Sequence, residues 1–234
     1  MSMRLDKYLS QATGISRKDI RRLMRRDEIS VNGEPAHDPA LHVDPETDEV
    51  CLYDEPVGAP GPRYLMVYKP EGYVSASDDP THPTVNSLVD LPRAEQLHCC
   101  GRLDIDATGL VLLTDDGQWS HRITSPRHKL AKRYRVETAD PIDEAAVQLF
   151  EEGLKLHGEL KRTRPAKLEI LSPREAIVEL AEGRYHQVKR MFAALGNRVL
   201  TLHRERIGPI DLDPELEPGD YRFLTESEIN SIFS

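Results

Sequence analysis

Hydrophobic positions at the start of the chain predict a short amphipathic helix. Leu5, Tyr8 and Leu9 are spaced i, i+3 and i+4, which places them on one face of a helix. Gly14 follows this stripe, and glycine is the residue that most often ends a helix because it adopts a left-handed conformation without strain. We therefore expect the first helix to end there.

A second helix is predicted directly after this glycine. Ser16 is a good N-cap residue, and Asp19 follows it by three positions. The apolar face would consist of Ile20, Leu23 and Met24, and the remaining positions are mostly basic. Because six Lys or Arg side chains within about three turns repel one another, the pattern predicts an anionic partner.

Short segments typical of β-strands follow the two helices. Asn32-Gly33 stands between Ile29–Val31 and Glu34–Pro35, which is a strong signal for a hairpin. Val50–Tyr53 predicts a further strand. These elements together predict a small domain that begins with two helices and ends with a small sheet.

A segment rich in proline and glycine follows this small domain. Asp54–Pro62 contains three prolines and two glycines in nine residues, which neither a helix nor a strand ladder tolerates well. We expect a mobile linker at about residues 54–63, between a small domain of residues 1–59 and a large domain of residues 60–234.

From Tyr64 onward, segments typical of strands and helices alternate without an internal repeat, which predicts an α+β domain with a mostly antiparallel sheet. Gly196-Asn197 is expected to end one helix, and Thr225 with Glu228 forms a capping box for the last one. The apolar positions that precede Gly196 are Tyr185, Val188, Met191, Phe192 and Leu195, and Val188 and Phe192 are expected to turn inward. The predicted strands are Tyr64–Tyr68, Val111–Thr114, Tyr134–Glu137, Ala166–Leu171, Ala176–Leu180 and Val199–Leu202. The predicted helices are Asp143–Glu152, Tyr185–Leu195 and Glu226–Ile232.

The total charge argues against a nucleic-acid partner, whereas the order of the charges argues for one. The 234 residues include 31 Lys or Arg and 40 Asp or Glu, which gives a formal net charge of −9. Residues 1–26 carry a net charge of +6, and residues 27–59 carry −10 with no Lys or Arg. Because salt screens each patch beyond about 10 Å, the acidic segment does not cancel the basic one.

Several classes of protein are disfavoured by the same sequence. No stretch approaches the roughly 20 apolar residues that span a bilayer, and the first residues lack the apolar run of a signal peptide. We expect a cytoplasmic protein without a membrane partner. The three cysteines, Cys51, Cys99 and Cys100, include no CxxC pair, which argues against a disulfide framework and a structural zinc site.

One loop of the large domain differs from ordinary scaffolding. In CGRLDIDATGLVLLT, at residues 100–114, an arginine and two acids stand between glycines directly before a continuous apolar strand. Asp104 and Asp106 have the spacing of a metal loop, but Ala107 and the residues after it supply no third oxygen ligand, so no metal site is predicted. A lone aspartate in a loop most often only bonds a nearby backbone N–H. The loop by itself therefore leaves its role open.

Four motifs taken in order resemble a known family. GRLDIDATGLVLLTDDG at residues 101–117, KPEGYV at 69–74, LAKRYRV at 130–136 and EGRYHQVKRMF at 182–192 resemble the motifs of pseudouridine synthases. The two helices and the VNG turn within residues 1–59 resemble the S4 RNA-binding module. The resemblance covers nearly the whole chain, and it implies an S4 domain followed by a pseudouridine synthase domain.

Two further segments resemble the family members that act on small-subunit ribosomal RNA. They are TDDGQWSHR at residues 114–122 and LHRERIG at residues 202–208. The implied activity is the isomerisation of one uridine in 16S rRNA, by resemblance uridine 516, to pseudouridine. This reaction breaks the N1–C1′ bond, turns the uracil and joins C5 to C1′, so it requires no metal, redox step or external cofactor.

By this resemblance the catalytic carboxylate is Asp104. Asp106 is a rival on local chemistry, but the family motif has the catalytic residue directly after Arg-Leu. The carboxylate would either attack C1′ as a nucleophile or remove the C2′ proton to give a glycal, and the sequence leaves both routes open.

The resemblance also implies three supporting residues. Lys189, where the family has Arg or Lys, would keep the enclosed carboxylate ionised. Arg102 would bind a phosphate of the flipped nucleotide or help to open the RNA duplex, and Tyr134 would stack on the target base. His186 and Gln187 are expected to shape the fold or bond their neighbours rather than to act as acid or base.

The basic second helix is expected to bind RNA phosphates, with binding that weakens steeply as salt rises. The basic residues between Arg127 and Arg135, with Arg204 and Arg206, would extend this phosphate contact to the active site, as suits a structured RNA. The RNA-binding residues expected in the small domain are Arg4, Lys7, Arg17, Lys18, Arg21, Arg22 and Arg25.

The sequence therefore predicts a monomeric RNA-modifying isomerase that acts on small-subunit rRNA or a pre-ribosomal particle. Two alternatives stay open. The target could be a uridine of large-subunit (23S) rRNA, or the chain could be an S4 RNA-binding assembly factor without catalysis. The acidic total predicts weak non-specific RNA binding outside the basic patches.

Overall fold

The computed structural model describes residues 2–125 and 130–233. They form two compact units. The N-terminal unit contains the chain up to Pro62 together with Leu91–Arg93, and the large unit contains Arg63–Asp90 and the residues from Ala94 onward.

Both predicted helices of the N-terminal unit are confirmed. Helix α1 (Leu5–Thr13) ends at Gly14, which has a φ of 74°. Helix α2 (Arg17–Met24) begins after Ser16, whose side chain accepts a hydrogen bond from the backbone N–H of Asp19. The apolar faces of both helices are buried and contribute to the core of this unit.

The predicted hairpin is also present. Asn32 and Gly33 have φ values of 53° and 82°, as a type I′ turn requires. A four-stranded antiparallel sheet has the order β3-β2-β5-β6, and β1 pairs with β4. The strands are β1 (Met3–Arg4), β2 (Ile29–Val31), β3 (Glu34–Pro35), β4 (His42–Val43), β5 (Val50–Leu52) and β6 (Glu55–Pro56).

The expectation that the segment from Asp54 onward avoids a strand ladder is wrong for its first residues. Tyr53 and Asp54, with φ values of 54° and 63°, form a tight turn. Glu55–Pro56 then pairs with β5. Proline fits because β6 lies at the edge of the sheet, where a missing N–H breaks no ladder. The division into domains between residues 59 and 60 stays a prediction.

The large unit is built on one nine-stranded sheet whose main path has the order β11-β12-β10-β13-β9-β7-β15. The short strands β14 and β8 pair with β13 and β9. The strands are β7 (Tyr64–Lys69), β8 (His98–Cys99), β9 (Thr108–Thr114), β10 (Lys132–Thr138), β11 (Lys167–Ser172), β12 (Glu175–Leu180), β13 (Val199–Ile207), β14 (Ile210–Asp211) and β15 (Tyr221–Phe223). The helices are α3 (Gly117–Thr124), α4 (Ala145–Glu152), α5 (Gln187–Ala194) and α6 (Glu226–Ser231).

The predicted α+β class with a mostly antiparallel sheet is confirmed. Of the strand pairs in this sheet, β13 with β9 is parallel and the others are antiparallel. The capping box of Thr225 and Glu228 is present at the start of α6. Helix α3 was not predicted. It begins after Asp116, whose side chain accepts two backbone N–H groups, and it buries Trp119 completely.

Candidate active site

Asp104 lies in the loop that leads from β8 to β9. The backbone N–H of Ala107 donates to the carbonyl of Asp104, which closes a turn behind the side chain. Asp104 is partly buried, with 23% of its side chain exposed, whereas Asp106 exposes 58%. Of the two carboxylates, Asp104 is therefore the more enclosed.

Helix α5 brings Lys189 to this loop. Its ammonium nitrogen lies 3.0 Å from an oxygen of Asp104 and 2.5 Å from an oxygen of Asp106. Burial alone would lower the pKa of Lys189, but hydrogen bonds and charges from the two aspartates outweigh it, and the pKa is raised above its usual value. The ammonium group of Lys189 is therefore held between the two aspartates, and its role in the reaction stays a prediction.

Asp106 depends on the same cation. Its partial burial acts to raise its pKa, but the hydrogen bond and charge of Lys189 outweigh this effect, so the pKa is lowered below the usual value. The ammonium group of Lys189 thus lies between the carboxylates of Asp104 and Asp106.

His186 is the second neighbour of Asp104. Its Nε2 lies 3.4 Å from the other carboxylate oxygen of Asp104. His186 has a φ of 47° and stands at the N-cap of α5. The buried side chain of Gln187 accepts from the backbone N–H of Arg184 and donates to Glu182, so Gln187 holds the turn before the helix.

A buried lysine holds the backbone of the residues that follow Asp104. Lys69, at the end of β7, is fully buried, and its ammonium donates to the carbonyls of Ala107 at 2.6 Å and Pro70 at 3.0 Å. The carbonyl of Ile105 lies at 3.4 Å. Burial lowers the pKa of Lys69 to about 8. Its bonds to Ile105 and Ala107 tie the loop to the end of β7.

A buried arginine holds the backbone at one residue before Asp104 and at one residue after it. Arg204, on β13, is 1% exposed, and its Nε donates to the carbonyl of Leu110 at 2.8 Å. Its Nη1 donates to the carbonyl of Arg102 at 3.2 Å. The buried Nη2 has no hydrogen-bond acceptor within the described part of the chain. The residue two positions before Asp104 is thus held from β13.

Gly109 permits this arrangement. It has a φ of +105°, and a Cβ at this position would lie 2.3 Å from the carbonyl oxygen of Arg204. The parallel pairing of β13 with β9 runs through this contact, since Arg204 is in register with Gly109. Glycine is therefore required for the close approach of the two strands.

A serine fixes the residue directly before Asp104. The Ser75 hydroxyl donates to the carbonyl of Leu103 and accepts from its N–H, at 3.2 and 3.0 Å. Together with Lys69 and Arg204, it leaves the loop little freedom. The geometry holds an enclosed carboxylate beside a fixed cation, which suits nucleophilic attack or proton removal.

Tyr134 lies on β10 with 9% of its surface exposed. It is in register with Arg204 on β13, which is in register with Gly109 on β9. The three residues form one row across the sheet, and neighbouring strands are about 4.8 Å apart. Tyr134 thus lies two strands from the start of β9, where the Asp104 loop ends.

Arg102 is exposed, and its side chain has no hydrogen bond to a described residue. The structure brings Asp104 and Lys189 together, but it does not join the Arg102 side chain to them. Only the Arg102 carbonyl is fixed, by Arg204.

The seven expected RNA-binding residues of the N-terminal unit are all exposed. Arg4 binds the buried carboxylate of Asp6 at 2.9 Å, and Arg21 lies 3.8 Å from it. Hydrogen bonds from Arg4 keep the pKa of Asp6 below its usual value despite burial. Arg22 pairs with Asp19. Within the described chain, the expected residues without an ion pair are Lys7, Arg17, Lys18 and Arg25.

The expectation that basic residues of the large unit contact RNA phosphates needs correction. Arg204 is buried and binds backbone carbonyls, so it cannot be a surface contact. Arg133 and Arg135 pair with Glu205, and Arg206 pairs with Glu179, because the sheet register sets these arginines beside acids. Residues 127–129 lie outside the described residues.

Among the described residues, no three His, Cys, Asp or Glu side chains are grouped so that they could hold a metal ion. None of the helices in the described ranges combines the length and apolar character needed to cross a membrane.

Cys99 and Cys100 are free thiols, and burial raises their pKa values to about 11 and about 12.

Two residues that shape the site, Lys69 and Ser75, had no predicted role, and Arg204 was predicted only as a phosphate contact. They act on backbone carbonyls and N–H groups far away in the sequence, which no local pattern encodes. Lys69 is the last residue of the apolar strand β7. A lysine at a position where the strand pattern predicts a buried residue is the one signal in the sequence that could have indicated its role.

Comparison with known proteins supports the same interpretation. Residues 63–194 match the family model of RNA pseudouridylate synthases, and residues 3–50 match that of the S4 domain. The chain is 52% identical over 234 residues to ribosomal small subunit pseudouridine synthase A of Vibrio parahaemolyticus, covering 99% of this chain and all of the relative. It is 52% identical over 231 residues to the enzyme of that name from Escherichia coli K12, covering 98% and 100%.

A solved structure described as a pseudouridylate synthase is similar over nearly the full length. Its TM-score is 0.71 at 47% sequence identity, and the match covers 98% of this chain and 99% of that one. The family match covers more than half of this chain, and the relatives are similar from end to end. The chain therefore belongs to the RNA pseudouridylate synthase family, among the members that carry an N-terminal S4 domain.

Proposed function

We propose that the protein converts one uridine of small-subunit ribosomal RNA, uridine 516, to pseudouridine, with Asp104 as the catalytic carboxylate. The observation that carries this proposal is the 3.0 Å contact between Asp104 and Lys189, in a loop held by buried side chains on both sides. The names of the similar proteins support the choice of small-subunit RNA.

The reaction needs one carboxylate and a means of holding the detached base. Asp104 either attacks C1′ or removes the proton from C2′, and in both routes the N1–C1′ bond breaks and the uracil leaves with the bonding electrons. The uracil then turns and C5 bonds to C1′. This step releases the Asp104 carboxylate from C1′ in the first route, and in the second route Asp104 returns the proton to C2′. The proton on C5 is then lost and N1 gains a proton, so atoms and electrons balance without an external reactant.

Lys189 pairs with Asp104 before attack and limits its movement. An ion pair supported by hydrogen bonds is stronger than one between freely solvated groups. Tyr134 stacks on the target base, which compensates part of the stacking lost when the base leaves the helix. Arg102, exposed next to the loop, binds a phosphate of the flipped nucleotide.

The N-terminal unit supplies binding energy that does not depend on the reacting base. Its exposed arginines and lysines contact phosphates, and its acidic side adds little non-specific affinity. In this proposal an S4 domain of residues 1–59 and a catalytic domain of residues 60–234 act as one monomer in the cytoplasm. The substrate is small-subunit rRNA, free or in a partly assembled particle.

Chemical mapping of the product tests the function. Unmodified transcripts of small-subunit and large-subunit rRNA are incubated with the protein, treated with a carbodiimide that leaves a stable adduct on pseudouridine, and read by primer extension. We expect one enzyme-dependent stop in the small-subunit RNA, at uridine 516. A stop only in large-subunit RNA would contradict the target, and RNA binding without any stop would favour an assembly factor.

A further inference from the structure

Tyr185 exposes an aromatic ring beside the active site. It is 75% exposed, more than any other Phe, Tyr or Trp in the described residues. The sequence predicts a helix that begins at Tyr185, whereas α5 begins two residues later, at Gln187. Tyr185 therefore lies outside the helix, and its ring faces solvent.

The exposed ring is held in a defined position. It stacks on the ring of His186, with centroids 3.7 Å apart and planes inclined by 20°. His186 in turn lies 3.4 Å from Asp104, so Tyr185 is separated from the catalytic carboxylate by a single ring. The carbonyl of Tyr185 accepts from Arg190, which anchors its backbone to α5.

The backbone conformation of His186 is unusual for a residue with a side chain. Its φ of 47° and ψ of 37° lie in the left-handed region, which is strained for residues other than glycine. Residues in this region recur at active sites and ligand-binding sites. Here the rings of His186 and Tyr185 are stacked. His186 lies beside Asp104, and Tyr185 faces solvent.

The surrounding charges favour a base over a phosphate as the partner of this ring. Arg184 pairs with Glu159 and Glu182, and Arg190 also pairs with Glu159. The arginines next to Tyr185 are therefore committed within the protein. A nucleobase needs no free cation, because any base can stack on an exposed aromatic face.

We propose that Tyr185 is a stacking site for an unpaired nucleobase adjacent to the target uridine in the RNA strand. This inference rests on the proposed function, since it requires the target uridine at Asp104. When that uridine leaves the helix, its neighbour also loses a stacking partner, and the ring of Tyr185 replaces it. Tyr134 and Tyr185 then serve different bases, the first the target and the second its neighbour.

Fluorescence of a substituted RNA tests the site. Small-subunit RNA fragments carry 2-aminopurine on the 5′ or the 3′ side of the target uridine and are titrated with wild-type protein, Tyr185→Ala and Tyr185→Phe. We expect quenching at one of the two positions with wild type and with Tyr185→Phe, and loss of that quenching with Tyr185→Ala. From the energy of one base stack, the Kd of Tyr185→Ala should rise roughly 5- to 150-fold.

A matched control separates stacking from a general loss of surface. Phe223→Ala removes another exposed aromatic ring, 53% exposed on β15, and should change the Kd less than twofold. In turnover assays Tyr185→Ala should raise KM and leave kcat within about twofold at saturating RNA. A fall in kcat without a change in KM would mean that Tyr185 only positions His186, and would overturn the stacking site.

The remaining outcomes are equally decisive. Quenching and Kd unchanged in Tyr185→Ala, while wild type modifies the RNA, would overturn this inference and leave the proposed function intact. If wild type neither binds nor modifies small-subunit RNA, the proposed function fails and the stacking site fails with it.

Discussion

The ammonium group of Lys189 lies 3.0 Å from the carboxylate of Asp104, although the two residues are far apart in the sequence. We expect Lys189→Met to lower kcat by about 30- to 150-fold, because a hydrogen bond to a charged group contributes about 2–3 kcal/mol. Binding of RNA should change little. Single-turnover kinetics with saturating enzyme measures the effect directly.

Lys189→Arg is the matched variant, because it keeps the charge. It should retain activity within about tenfold of wild type, since the family has Arg or Lys at this position. Equal losses in the Met and Arg variants would show that the exact ammonium geometry, rather than the positive charge, is required.

Gly109 should be intolerant of any side chain. Gly109→Ala places a Cβ 2.3 Å from the Arg204 carbonyl at a φ of +105°, so we expect it to destabilise the protein by about 3–5 kcal/mol and to lower kcat at least tenfold. Gly101→Ala is the control, since its φ of +97° is similar but no atom lies within 4 Å of the added Cβ. It should cost only about 1–2 kcal/mol. Urea unfolding compares them, and equal losses would refute the close-approach explanation.

The stability of the protein should depend on pH through Glu228. Hydrogen bonds from Arg222, which outweigh the effect of burial, lower the pKa of Glu228 from 4.5 to about 2 in the folded protein. A lowered pKa stabilises the folded state fully above about pH 4.5, and this contribution is lost as the pH falls toward 2. It amounts to about 3 kcal/mol, because each tenfold change in acidity corresponds to about 1.4 kcal/mol.

Glu228→Gln removes this contribution. The difference in unfolding free energy between wild type and variant should be largest near pH 7 and should shrink as the pH falls from about 4.5 toward 2.5. Urea titrations at several pH values measure it. A difference that stays constant over this range would contradict the assigned role of Glu228.

The salt dependence of RNA binding should come from the basic side chains on α2, and directly after it, that have no ion pair within the described chain. Replacing Arg17, Lys18 and Arg25 by Gln should reduce the slope of log K against log salt by about 2–3, since each phosphate contact contributes about 0.7–0.9. kcat at saturating RNA should be unchanged. An unaltered slope would mean that this helix is only a solvated face.

Local signals in the sequence predicted local structure correctly. Ser16 caps α2, Gly14 ends α1 and Asn32-Gly33 forms a tight turn, because each depends on residues within a few positions. The short strands β8, β14 and β15 were missed, since two or three residues show no periodicity. Proline at position 56 was misinterpreted because an edge strand tolerates it.

The site was predicted only in part, because it is built from distant contacts. The resemblance to the family indicated Asp104 and Lys189, and the structure brings them together. Lys69 and Arg204 bind backbone carbonyls of the loop, and only the folded sheet brings these groups within reach. Arg135 likewise pairs with Glu205 because of the strand register. The sequence therefore could not show that Arg135 is unavailable as a phosphate contact.

The role of Asp104 is tested most directly by tritium release from small-subunit rRNA that carries 5-tritiated uridine. Wild type should release tritium, because C5 loses its hydrogen when it bonds to C1′. Asp104→Asn should release none above background and still bind the RNA, whereas Asp106→Asn, which leaves Asp104 and Lys189 paired, should retain at least a tenth of the wild-type rate. Release by Asp104→Asn at a rate comparable to wild type, or its loss only in Asp106→Asn, would contradict the assignment of Asp104.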